Sequence, residues 1–186
     1  MEEIRVLGIL GSLRKGSYNR YALKAAQELM PVGTTLHLFE LHDIPPFNQD
    51  DEMAAPHAVH ELKRWIQAAD AVLFVTPEYN YSLPGVLKNA IDWASRPHGN
   101  NSWQGKPAAI MGASIGHLGT ARAQYHLRQI LVALDMPVVN QPEVMLSNAA
   151  QRFDRDGRLT DEPTRQHIRQ LLDALIRLVK LNQTAK

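Results

Sequence analysis

The run Gly11-Ser12-Leu13-Arg14-Lys15-Gly16-Ser17-Tyr18-Asn19 follows an apolar stretch, Ile4–Leu10, and leads into a helical pattern. Its residue types are those that hold an anion. Gly11 and Gly16 have the glycine spacing of the Walker loop, but Ser17 stands where that loop needs lysine. The glycines at 8, 11 and 16 do not fit the G-x-G-x-x-G dinucleotide fingerprint either. Ser12, Arg14, Ser17 and Asn19 remain: two hydroxyls, a guanidinium and an amide at the start of a helix. That set suits a single terminal phosphate, because free helix N–H groups and roughly half a positive charge already favour an anion there. A plainer reading has Ser17 capping the helix and Arg14 solvated.

Two further runs are polar beyond what a connector needs. Thr76-Pro77-Glu78-Tyr79-Asn80-Tyr81-Ser82-Leu83-Pro84-Gly85 joins restricted prolines to flat tyrosine faces, and can offer main-chain groups to the edge of a planar heterocycle. Equally, it can be a tight connection in which Ser82 caps the next helix. Ser114-Ile115-Gly116-His117-Leu118-Gly119 has two glycines that let backbone approach a ligand closely, or that serve only a turn. His117 can donate to a substrate or simply be solvated.

These runs do chemistry together only if the elements between them bring them to one place. Strands are expected at Ile4–Leu10, Thr35–Leu41, Ala71–Thr76, Pro107–Ala113 and Pro137–Met145. Helices are expected at Tyr18–Met30, Pro56–Ala69, Pro84–Ala94 and Leu118–Leu134, with a last one capped by Thr160 or Asp161. The run Ala71–Thr76 is apolar on every side, as a central parallel strand covered on both faces must be. Alternation of this kind implies an α/β fold with a parallel sheet, helices on both faces and the flavodoxin-like order 2-1-3-4-5. The three polar runs then fall at the carboxyl edge of the sheet. Asn48–Ala55 and Ser147–Arg158 are expected as surface loops, and residues 1–186 as one domain.

The totals narrow the field. The chain has 186 residues, 45% hydrophobic and 21% charged, with 20 basic and 19 acidic side chains and a net charge of +1. Such balance gives no footing for nucleic acid. There is no cysteine, which excludes disulfides, thiolate catalysis and cysteine-bound metal. No apolar run approaches a membrane span and no secretory signal is evident, so a soluble, cytoplasmic protein is expected. His57 and His60 share a helix face, but without a third ligand no metal site is expected. Glu40 ends the second strand, where a dinucleotide site would want an acid; with no matching glycines it reads as an edge carboxylate. No G-x-S-x-G elbow is present, which disfavours a hydrolase. Trp65, Trp93 and Trp103 are expected in the core or an interface. Arg122, Tyr125 and Arg128 mix charge and aromatic character on one helix, as a snorkelling surface or an interface would.

The pattern G-S-x-R-x-x-S-x-N in the first run, P-E-Y-N in the second and S-x-G-x-x-G in the third resemble the NAD(P)H-dependent FMN reductase family. The stretches TPEYNYSLPGVLKNAIDWASR and GTARAQYHLRQIL are similar to its quinone-, chromate- and azo-dye-reducing members. The resemblance covers about residues 4 to 145. It implies that Ser12, Arg14, Ser17 and Asn19 hold the phosphate of FMN, with Gly11, Leu13 and Tyr18 completing that loop. Pro77, Glu78, Tyr79 and Asn80 would line the flavin ring, Tyr79 and Asn80 shaping the substrate face, with Ser114 and Gly116 on the other side. NADPH or NADH would be the co-substrate, a small molecule the electron acceptor, and the redox chemistry flavin-borne, with no side chain assigned as catalytic. The resemblance also implies a homodimer or homotetramer, with Arg122, Tyr125 and Glu143 at its boundary. Two alternatives stay open: a flavodoxin-type electron carrier, whose usual acidic surface is missing here, and an α/β nucleotide-binding domain without redox activity.

Overall fold

The computed structural model describes residues 3–184; positions 1, 2, 185 and 186 of the expected domain lie outside the described residues. Five strands, β1 (Ile4–Leu10), β2 (Thr34–Glu40), β3 (Ala71–Val75), β4 (Ala108–Ala113) and β5 (Val144–Leu146), form one parallel sheet in the order β2-β1-β3-β4-β5. Every strand pair is parallel, so each connection must cross over a face of the sheet. The crossovers are α1 (Tyr18–Glu28), α2 (His57–Ala68), α3 (Gly85–Ala94) and α4 (Ala121–Ala133), and α5 (Glu162–Thr184) follows the last strand. The flavodoxin-like expectation therefore holds in order, direction and layering.

The alternation of side chains along each strand feeds two cores. Val6, Leu10, Leu73, Val75 and Met111 pack towards α1 and α5, meeting Leu23, Ala26, Leu171 and Leu175. Leu7, Ile9, Val72, Phe74 and Ile110 pack the other way, against Leu62, Ile66, Ile91, Trp103 and Leu127. Trp93 and Trp103 are buried with each indole N–H satisfied, by the carbonyls of Pro45 at 2.8 Å and Ile91 at 3.0 Å. Trp65 does not join them: it is 37% exposed and lies beside His37.

Four boundaries differ from the sequence reading. The fifth strand shrinks from Pro137–Met145 to Val144–Leu146, with a lone bridge from Val138 to Ala108 ahead of it. Pro137 and Pro142 carry no N–H and so interrupt the ladder. α4 starts at Ala121 rather than Leu118, because Gly119 takes φ +61° and turns the chain before the helix. Asn48–Ala55 is not plain loop: Gln49–Ala54 forms a 3-10 helix, with the Asn48 side chain accepting from the Asp50 N–H. Nor does Ser147–Arg158 merely cover the surface. It contains the 3-10 turn Ala149–Gln151, buries Ala149 and Phe153, and packs Phe153 on Tyr18 and Tyr21 of α1. The final helix is capped by Asp161, whose carboxylate accepts from the Thr164 N–H at 2.9 Å.

Candidate functional site

In a parallel sheet all strands end on the same edge, and the loops after β1, β3 and β4 meet there. The first loop begins with Gly11 N–H donating to Val75 C=O, which fixes its exit beside β3. Ser12 and Ser17 are buried, at 4% and 3% exposure. Ser17 is the N-cap of α1, its oxygen accepting from Asn19 N–H at 3.2 Å, and Ser12 accepts from Arg14 N–H at 3.4 Å. Both hydroxyls act there as acceptors, so each keeps its own proton for an incoming anion. Among the described residues, the N–H groups of Lys15 and Gly16 have no main-chain partner. Arg14 is exposed and makes no ion pair or side-chain hydrogen bond among the described residues. Two spare hydroxyl protons, unpaired amides, an unengaged guanidinium and no acid fit a phosphate monoester at a helix N-terminus.

The second loop is a tight hairpin. Tyr79 and Ser82 exchange both main-chain hydrogen bonds, at 2.9 and 3.0 Å, across Asn80 at φ +49° and Tyr81 at φ +71°. Two successive left-handed non-glycine residues are costly, so something must hold them. That hold comes from α4. The Glu78 carboxylate accepts from the N–H groups of Arg122 (3.0 Å) and Ala123 (3.2 Å) and also pairs with the Arg122 guanidinium. Arg122 in turn lies 3.6 Å over the Tyr81 ring, and Ser82 Oγ bonds His126 Nδ1 at 3.0 Å. Glu78 therefore caps α4, whose own Thr120 makes no side-chain cap bond. Ser82 caps nothing, and α3 starts instead after Pro84. Tyr79 and Asn80 are left exposed at the tip, while Pro77 is buried beneath it.

The third loop is stiffened by its own serine. Ser114 Oγ accepts from Gly116 N–H at 3.1 Å, and the following segment ties in through Asn148 N–H to Gly116 C=O at 3.1 Å. At Gly119 a Cβ would stand 2.9 Å from the Met145 carbonyl carbon, so only glycine fits. His117 is exposed. A cleft of about 440 Å³ joins the first two loops, lined by Ser12, Leu13, Arg14, Tyr79, Pro84 and Gly85 among others.

Two sequence-predicted site residues are placed elsewhere. Asn19 is 2% exposed and spends its side chain on the main chain of Ala113, accepting at 2.8 Å and donating at 2.9 Å. Glu78 turns its carboxylate to α4, away from the cleft. Sequence reasoning missed the clamp of Arg122, Tyr81 and His126; nothing in the sequence signals it, since Thr120 is a capping residue by type and only its geometry leaves α4 to Glu78. Glu40 is engaged by Arg20 through two hydrogen bonds and by His42 at 2.9 Å, which leaves no free carboxylate for a ribose. No group of three metal-ligating side chains exists among the described residues, and no helix there is long and apolar enough to cross a membrane.

A parallel sheet in the order 2-1-3-4-5 with helices on both faces and polar loops gathered at its carboxyl edge is the flavodoxin-like class of fold. The chain belongs to the NADPH-dependent FMN reductase family, whose model matches residues 4–151. It is 56% identical over 175 residues to an NAD(P)H-dependent FMN reductase of Pseudomonas aeruginosa, covering 94% of each chain. It is 46% identical over 176 residues to a quinone reductase of Pseudomonas putida, again covering 94% of each. Among solved structures it resembles a flavoenzyme NAD(P)H:(acceptor) oxidoreductase of Paracoccus denitrificans, with a TM-score of 0.89, 41% identity and coverage of 96% of this chain and 98% of that one. As a family member the protein is an enzyme, an oxidoreductase that uses FMN as cofactor and NAD(P)H as reductant.

Proposed function

We propose that this protein is a cytoplasmic NAD(P)H-dependent quinone reductase whose FMN phosphate sits in the loop Gly11–Asn19 of a single domain spanning residues 1–186. The observation that carries this is the donor set at the N-terminus of α1: Ser12 and Ser17 with spare protons and an unpaired Arg14, opening into the cleft shared with Tyr79. Bound there, FMN would supply two-electron chemistry, taking hydride at N5 from NADPH or NADH and reducing a quinone, azo compound, free flavin or metal oxyanion in ping-pong order. The chain's own part is to bind and orient. Ser12, Arg14 and Ser17 hold the phosphate, with Gly11, Leu13 and Tyr18 shaping the loop around it. Pro77, Tyr79 and Asn80 line the ring, and Ser114 and Gly116 flank it. Tyr79 and Asn80, exposed at the tip of a turn fixed from below, shape the face on which reductant and acceptor alternate.

The relatives that are named quinone reductases support a small, planar acceptor. Tyr81, Tyr125 and Val132 are exposed on the α4 side, and Tyr125 donates to Glu143 at 3.1 Å. These residues, with Arg122, favour a homodimer or homotetramer closed over this side. A monomeric mass by light scattering at micromolar concentration would end that part of the reading.

The test of the whole is spectroscopic. The protein reconstituted with FMN should show a bound-flavin band that NADPH or NADH bleaches without oxygen, and a quinone should restore it. A bound flavin that neither nucleotide bleaches would favour an electron carrier; no flavin binding at all would favour a domain without redox activity.

A further inference from the structure

Asn19 lies two residues beyond the N-cap of α1, yet its side chain reaches the main chain at the end of β4. The reason is a defect in the sheet. Thr76 N–H donates to Met111 C=O at 3.1 Å, so Met111 faces β3. Two residues on, Ala113 must present its own N–H and C=O to the same side, because pairing sides alternate along a strand. By then β3 is gone: it ends at Val75, the chain turns out at Thr76-Pro77, and among the described residues no main-chain N–H beyond that of Thr76 continues the ladder to Ala113. Ala113 is 3% exposed, and unpaired groups there would be buried without partners. The Asn19 amide fills the vacancy as a strand residue would. Its oxygen accepts from Ala113 N–H at 2.8 Å and its nitrogen donates to Ala113 C=O at 2.9 Å.

This joint sits between two loops of the site. Ser17 is two residues before Asn19, and Ser114 directly follows Ala113, whose other neighbour, Gly112, is hemmed in by Thr120 and Thr76. We infer that Asn19 is a positioning residue and not a phosphate ligand: it splices the phosphate loop to the end of β4, so that the loops gripping the two ends of the cofactor form one rigid frame. The inference rests on the proposed FMN site and specifies how that site is held.

The test compares FMN with riboflavin, which lacks the phosphate, by quenching of flavin fluorescence. In Asn19→Ala both dissociation constants should rise about tenfold, with their ratio kept within about threefold of the wild-type ratio. The visible circular dichroism of the saturated flavin should also change, because the ring's seat moves relative to the phosphate. Asn19→Gln keeps an uncharged amide one methylene further out and should fall between; if Asn19→Ala does not fold, the same ratio in Asn19→Gln decides. A loss confined to FMN would overturn the inference and restore Asn19 as a ligand. Unchanged binding of both flavins would overturn it too. Should the wild-type protein bind neither flavin, the functional reading fails, and hydrogen exchange judges the joint by itself. Faster exchange at Ala113 in Asn19→Ala, with Met111 still protected, supports it, and equal rates sink it.

Discussion

Replacing Arg14 by alanine separates the phosphate from the rest of the cofactor. The side chain is exposed and makes no ion pair or side-chain hydrogen bond among the described residues, so its removal should leave the fold and its melting temperature unchanged. What disappears is a guanidinium beside an oxyanion, a charge-assisted contact worth about 1.5–3 kcal/mol when well formed. Solvent exposure weakens it and places the expectation at the lower end of that range. Ser12, Ser17 and the N-terminus of α1 remain, so binding is weakened and not abolished. FMN should therefore bind about ten- to a hundredfold more weakly, nearer ten. Riboflavin should be unaffected, and the gap between the two flavins should narrow accordingly. Raising the salt concentration should erode the wild-type advantage for FMN and do less to Arg14→Ala. Fluorescence titration of both flavins against both proteins reads all of this. Unchanged FMN affinity, or an equal loss for riboflavin, would refute the assignment of the first loop to the phosphate.

Other expectations follow from the frame around the site. Glu78→Ala removes the side-chain cap of α4, which should cost about 0.5–2 kcal/mol and lower the melting temperature by about 2–4 °C per kcal/mol. The same change releases the turn at Tyr79–Ser82, so the KM for a quinone should rise more than kcat falls; an unchanged KM would detach the turn from acceptor binding. Gly112→Ala drives a Cβ into the Thr120 side chain and the Thr76 carbonyl, backbone on one side, and should destabilise by about 1–3 kcal/mol in denaturant titration. The Arg20 hydrogen bonds hold the Glu40 carboxyl below its usual value of 4.5, and Thr164 and Arg152 do the same for Asp161 from 3.8. A depressed carboxyl contributes stability that is complete above the unfolded value and is lost as pH falls through the folded one. Melting temperature should thus fall as pH drops below about 4.5, and Glu40→Gln should flatten that fall; identical profiles would remove Glu40 from the acid response.

The parts of the fold that were legible in the sequence share a physical cause. β1, β3 and β4 are covered on both faces, so their residues are apolar almost without interruption, and α2 and α5 each lay one stripe on a core. β5 was overdrawn because Val138 and Val139 are apolar enough for a strand, while the missing donors of Pro137 and Pro142 decide where the ladder holds. The start of α4 was misplaced by three residues because the helical pattern continues through Leu118, whereas the left-handed Gly119 beside Met145 stops the helix.

The site divides along the same line. Residue types and spacing by themselves pointed to one phosphate at the loop after β1, beside the plainer reading of a helix cap, since hydroxyls, a guanidinium and a helix start are local features that need no distant partner. Only the tertiary structure decided which of those side chains remain free for it. Asn19 and Arg14 both offer side-chain donors in the same short run, and Asn19 alone adds an acceptor. A strand that ends early more than fifty residues away claims Asn19, and nothing claims Arg14. Glu78 is likewise drawn away by a helix that lacks its own cap, forty-four residues on. Hydrogen-bonding groups are assigned by the unmet needs of whatever the fold places beside them, and those needs belong to other parts of the chain.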